Sequence, residues 1–184
     1  MPDPITTAPD GALPVAERPR VYVACLAAYN SGILHGRWIA VTTPEEVKAE
    51  AGAMLGESPV PRAQEWAIHH YEGFEGICLS EHASFDTVCE LADFVAEHGR
   101  LAAKLYSHFG NGLTEARAAF ENYAGQYQTA GAFAEEMIRE TGTEIPPSLE
   151  YYIDWQALAR DMALNGEILV IQTGFDEVHV FWSR

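Results

Sequence analysis

FDTVCELADFVAEHG, residues 85–99, carries two interlocking spacings. Asp86, Glu90, Asp93 and Glu97 follow one another at steps of four, three and four. On a helix turning once per ~3.6 residues these four carboxylates stack into one longitudinal row. Phe85, Val88, Leu91, Ala92 and Val95 fall on the opposite side. The stretch is therefore predicted to be an amphipathic helix, apolar inward and anionic outward. Ser84 can cap it, and Gly99 should end or bend it.

The surroundings extend the anionic character. Between Arg62 and Arg100 there is no Lys or Arg, while Glu65, Glu72, Glu75 and Glu81 join the four helix acids. A solvated face normally mixes signs, because like charges at i,i+4 cost ~0.2–0.5 kcal/mol per pair where opposite charges gain as much. An ordinary solvated face explains one such row. A surface shaped like a nucleic-acid backbone explains several, and the C-terminal part supplies more. From Glu135 to Glu177 ten carboxylates face only Arg139 and Arg160. Glu135, Glu136, Glu140, Glu150, Asp154 and Asp161 are the candidates there for a second anionic surface.

Composition sets the class. The 184 residues hold 27 acids against 11 Lys and Arg, a formal net charge of −16, and 48% are hydrophobic. A folded core is expected, with a field that repels nucleic acid and anionic membrane and attracts cationic protein surfaces. Salt adaptation competes as an account of the charge, but a bias to Glu over Asp argues against it. Cys25, Cys78 and Cys89 are odd in number and lack CxxC spacing, so reduced thiols in a cytoplasmic protein are expected. No stretch has the ~20 apolar residues of a membrane span.

North of the acidic helix, residues 1–19, rich in Pro, Ala, Thr and Asp, read as a disordered tail. VYVACLA from Val21 and Arg37–Val41 read as strands, with turn chemistry at Tyr29-Asn30-Ser31-Gly32. Thr43 is an expected N-cap, with Pro44 at N1 and Glu46 at N3, for a helix to about Leu55. Trp66–Tyr71 reads as a third strand, on which His69 and His70 would point to opposite sides.

Past Gly99, residues 100–109 and 113–121 read as helices around Gly110-Asn111-Gly112. A short strand at Gln126–Thr129 and a helix from Gly131 to about Thr141 follow. A further helix capped by Ser148 would align Tyr151, Trp155, Leu158 and Met162 as a core-facing row. Ile168–Ile171 and Val178–Trp182 then close a hairpin, whose Phe175 or Phe181 could serve a dimer seam. The fold class expected is α+β: a tail at 1–19, an N-terminal α+β module at 20–80, a central acidic helical module at 81–122, and a C-terminal α+β module at 123–184.

Catalytic signatures are missing from the sequence. There is no phosphate-binding loop, no dinucleotide fingerprint, no HExxH and no GxSxG. Glu65 and His69 share i,i+4 spacing on an expected strand, where that spacing defines no ligand face. No cofactor, metal or enzymatic activity is expected.

The strings RVYVACLAAYNSGILHGRWI, EEVKAEAG, EWAIHHYEGF and especially IPPSLEYYIDWQALARDMALNG resemble successive parts of the ArdA family of antirestriction proteins. The resemblance runs colinearly from about Arg20 to the C-terminus. It implies a protein of mobile genetic elements that imitates bent B-form DNA and occupies the DNA-binding groove of type I restriction–modification enzymes. It also implies three modules in an elongated arrangement and a homodimer formed through the C-terminal one. Arg100, Lys104 and Arg117 depart from the family's acidic tendency in that region. A different class of function is an acidic adaptor or immunity-type protein that grips one basic partner through a compact hot spot.

Overall fold

The computed structural model describes residues 18–183. Residues 1–17, most of the expected tail, lie outside them. Pro19 is buried, and its carbonyl accepts a hydrogen bond from the Val41 N–H at 2.8 Å. The protein is α+β and divides into two compact units at Gly99, inside the segment 81–122.

The first unit is built on an antiparallel sheet of β1 (Arg20–Cys25), β2 (Gly36–Ala40) and β3 (Trp66–Glu72), in the order β2-β1-β3. Val21 pairs with Ile39 on one side and Tyr71 on the other, and Val23 pairs with Ile68. Val21, Val23, Ile39 and Ile68 are buried, so one face of the sheet makes the core. A short helix α1 (Leu26–Asn30) occupies the connection read from sequence as strand end and turn. Five residues without a side-chain cap are too short to announce a helix by periodicity. α2 (Pro44–Gly56) begins as its sequence dictates: the Thr43 hydroxyl accepts from the Glu46 N–H at 3.3 Å, with Pro at N1. Its buried Val47, Ala51 and Met54 form a stripe at steps of four and three.

The acidic segment opens α3 (Phe85–His108), a helical run broken at Gly99, where φ is 54° and ψ −133°. Only glycine adopts that conformation cheaply. Ser84 caps the start by accepting from the Thr87 N–H at 3.1 Å. Phe85, Val88, Leu91, Ala92 and Val95 are buried, as the spacing predicts, and so are Cys89 and Phe94. Phe85 stacks on Trp66 with ring centroids 4.0 Å apart, tying this helix to β3. Truncating a buried leucine such as Leu91 to Ala typically costs ~2–5 kcal/mol.

The second unit contains the rest of α3, α4 (Leu113–Ala118) continued by a 3₁₀ turn at Ala119–Asn122, and a second antiparallel sheet. Its strands are β4 (Tyr123–Tyr127), β5 (Ile168–Gly174) and β6 (Glu177–Trp182), ordered β4-β6-β5. β4 lies earlier than the expected Gln126–Thr129, because Thr129 serves instead as the N-cap of α5 (Ala130–Glu140). Its hydroxyl accepts from the Ala132 N–H at 3.1 Å. Phe133, Met162, Ile168 and Val180 form the core, beside a cluster of Ala130, Ala134 and Ala159. These small residues let α5 approach α7 (Trp155–Leu164), and the Gly131 N–H donates to Gln156 Oε1 at 3.0 Å.

Two C-terminal expectations are corrected. The helix expected from Ser148 is two pieces, α6 (Pro147–Glu150) and α7, and Ser148 makes no cap bond. Asp154 starts α7 by accepting from the Ala157 N–H at 2.9 Å, so the Tyr151–Met162 row is interrupted. Tyr151 is 94% exposed rather than part of the core. Phe181 is buried against Phe120 and Tyr123, so of the two hairpin aromatics Phe175 alone is exposed. No helix among the described residues is long and apolar enough to cross a membrane.

Candidate acidic binding surface

Because burial of the apolar stripe fixes the rotation of residues 85–98, it also fixes where the carboxylates go. Asp86, Glu90, Asp93 and Glu97 are all exposed on the helix side away from Val88, Leu91 and Val95. β3 carries Glu72 at its end, Glu65 precedes that strand, and the loop that follows it supplies Glu75 and Glu81; all four are exposed. The first unit therefore presents every one of its eight expected acids to solvent.

Their charges are not equally bare. Lys48 Nζ, reaching from α2, lies 3.2 Å from Asp86 Oδ2. Arg20 holds Glu72 through Nε and Nη2 at 2.8 and 2.6 Å. Both pairs are about half exposed, a setting in which a pair is worth ~0–1 kcal/mol and water screens what remains. Two carboxylates of the row, Asp86 and Asp93, also act on their own helix. Burial, aided by Asp93, Asp86 and Glu45, pushes the Cys89 thiol up to about 11. A thiol so protonated is no nucleophile at neutral pH. Cys25, Cys78 and Cys89 are free thiols.

In the second unit Glu136, Glu140, Glu150, Asp154 and Asp161 are exposed and Glu135 is partly so. Arg139 binds Glu135 at 2.7 Å and Glu150 at 2.6 Å, joining α5 to α6. Those two carboxylates hold its guanidinium pKa above the usual arginine value, the Glu150 bond contributing most. Glu136 accepts from the Tyr127 hydroxyl at 3.3 Å. Burial and that carboxylate push the phenol up. Asp154 is partly committed as the α7 cap. Arg100, Lys104 and Arg117 are exposed; the Glu177 carboxyl is held below its usual range chiefly by the Thr173 hydroxyl, with Arg100 the smallest contributor.

Sequence reasoning missed three groupings. His179 is the buried polar side chain of the second sheet, with Nδ1 2.8 Å from the Tyr123 hydroxyl and Nε2 3.3 Å from Glu177. Its pairing with Tyr123, 56 residues away, has no local signal. Lys48–Asp86 and Arg139–Glu150 are likewise products of tertiary packing. The third grouping is aromatic, on the first sheet. A register shift beside Tyr22 interrupts the alternation expected of β3, and His69 and His70 are both exposed. Their rings lie 4.8 Å from Tyr29 and 5.6 Å from Trp38 respectively.

The exposed carboxylates of each unit can attract cations. Among the described residues no three His, Cys, Asp or Glu side chains converge as a metal site. A family model described as antirestriction protein (ArdA) matches residues 21–177. No curated protein matches the chain.

Proposed function

Because the chain belongs to the ArdA family of antirestriction proteins, we propose that it competes with DNA for the binding groove of a type I restriction–modification enzyme. The observation that carries this reading is the exposed row Asp86, Glu90, Asp93 and Glu97, anchored by a buried opposite face. Eleven helical steps of ~1.5 Å spread the four charges over roughly 16 Å. One DNA strand places a phosphate every ~3.4 Å of axis, so the row is a thinned strand, and Glu65, Glu72, Glu75 and Glu81 add charge around it.

Inhibition then needs no reaction. Carboxylates take the positions of phosphates against the enzyme's Lys and Arg, and release the counterions those residues gather when the groove is empty. The energy is spread over many carboxylates, so losing one weakens the complex by a fraction. The acids of the second unit, Glu135, Glu136, Glu140, Glu150, Asp154 and Asp161, supply a second anionic surface. A type I enzyme cuts DNA in the cytoplasm, so the inhibitor acts there.

A homodimer formed through residues 123–184 belongs to the same proposal. It is supported by the exposure of Leu149, Tyr151, Tyr152, Leu164 and Phe175, large apolar side chains that solvent alone disfavours. Light scattering of the purified protein should give a dimeric mass, reduced by Phe175→Ser.

The functional test titrates the protein into a type I enzyme with unmodified DNA, following cleavage and DNA binding at two salt concentrations. Inhibition that is competitive with DNA and weaker at the higher salt is expected. Folded protein that leaves DNA bound at saturation, across several type I enzymes, would sink the proposal.

A further inference from the structure

Among the described residues, the exposed large apolar side chains of the first unit are Tyr29, Ile33, Leu34 and Trp38. All four come from ten consecutive positions, running from the end of α1 into the edge strand β2. Leu34 is 89% exposed, a high value for an aliphatic side chain in an ordered connection. The two ends of this stretch both meet β3, Tyr29 packing on His69 and Trp38 on His70. Trp38, Tyr22 and His70 occupy paired positions on the three strands, and the Trp38 and Tyr22 rings are 5.7 Å apart. Gly36 keeps this face close-set, because a Cβ there would lie 2.7 Å from the Tyr22 ring and from the Val23 carbonyl oxygen.

The face already shows how it holds a guanidinium. Arg20 Cζ sits 4.9 Å from the Trp38 ring centroid, while Nε and Nη2 bond Glu72. An aromatic plane beneath and a carboxylate beside suit arginine better than lysine, whose compact ammonium cannot stack.

We infer that this aromatic face of the first sheet is a docking site for an arginine presented by a basic protein partner. Charge selects the occupant. A net charge of −16 repels nucleic acid and anionic membrane and attracts a cationic protein. Clustered Trp, Tyr and Arg in a small exposed area also match the composition of protein-binding hot spots. The inference rests on the reading above only in that the partner is a cationic protein. The carboxylates supply long-range attraction, and this face supplies a short-range contact that salt screens far less.

The test uses the full chain and two peptides of equal length and charge, one alternating Arg with Gly and the other Lys with Gly. Net charge treats them alike, whereas stacking does not. The arginine peptide is expected to bind about two- to five-fold more tightly. Trp38→Leu should abolish that preference, and Asp93→Asn should weaken both peptides equally while preserving it. Arg20→Gln, which vacates the indole face, should increase the preference, and this variant serves if Trp38→Leu fails to fold. Equal affinities for the two peptides overturn the inference, as does a preference unchanged in folded Trp38→Leu or in Arg20→Gln. No restriction enzyme is involved, so this result and the groove-competition result can fail separately.

Discussion

Glu177 shows how a single carboxylate is held in this acid-rich chain. The Thr173 hydroxyl donates to its Oε1 at 2.6 Å, and His179 Nε2 lies 3.3 Å away. In the tautomer with its proton on Nε2, His179 donates to Glu177 and accepts from the Tyr123 hydroxyl at Nδ1, joining β4 to β6. The Thr173 bond, followed by the His179 bond, holds the Glu177 carboxyl below the usual carboxylate range. Burial, with a contribution from Glu177, raises the Tyr123 phenol, which keeps it a donor. A carboxyl whose pKa is lower folded than unfolded stabilises the fold fully above the ordinary carboxylate range. That contribution disappears as pH falls through the lower, folded value. Thr173→Val should therefore melt below the parent at neutral pH, and the gap should close on acidification through the carboxylate range. A gap that stays constant with pH would show that the hydroxyl acts through packing alone.

At the scale of elements, α3 separates a functional charge from a stabilising one. Asp93 and Glu97 are like charges four residues apart, a spacing that costs a helix ~0.2–0.5 kcal/mol. Neutralising both, as Asp93→Asn with Glu97→Gln, should leave the melting temperature unchanged or slightly raised while inhibition weakens several-fold. Stability and inhibition falling together would instead mark the acids as structural. α7 responds oppositely: Asp154→Ala removes the cap bond to Ala157 and should cost about 1 kcal/mol, read from the urea midpoint. These two helices also show what the sequence makes legible. Thr43, Ser84 and Gly99 act on their own neighbours, so their roles can be read locally, as can the exposure of carboxylates too costly to bury. The row Tyr151, Trp155, Leu158 and Met162 keeps helical spacing straight through a break, and periodicity cannot reveal that Asp154 restarts the helix. Partners 38 and 11 residues apart, Lys48–Asp86 and Arg139–Glu150, depend on how the elements pack. Trp38 beside His70 is equally hidden, because it follows from the register of three strands.

For the molecule as a whole, the charge should act with opposite sign on folding and on binding. A net charge of −16 on 184 residues makes the folded chain repel itself, since folding brings the carboxylates closer together. Exposed pairs such as Lys48–Asp86 and the Arg139 bridges return ~0–1 kcal/mol each. Even if each of the 11 Lys and Arg paired with an acid, 16 of the 27 acids would remain in excess, so net repulsion should prevail. Salt shortens the reach of that repulsion, from a Debye length of ~10 Å at 0.1 M to ~3 Å at 1 M. The melting temperature should therefore rise along a sodium chloride series. Along the same series inhibition of a restriction enzyme should weaken, because the attraction being screened is what brings the two proteins together and the counterion gain shrinks. The paired measurement separates two ideas that either half alone would confuse. A melting temperature that falls with salt would mean that the native ion pairs outweigh the repulsion. Inhibition indifferent to salt would mean that a short-range contact, such as the face around Trp38, dominates binding and that the acid rows only steer the approach.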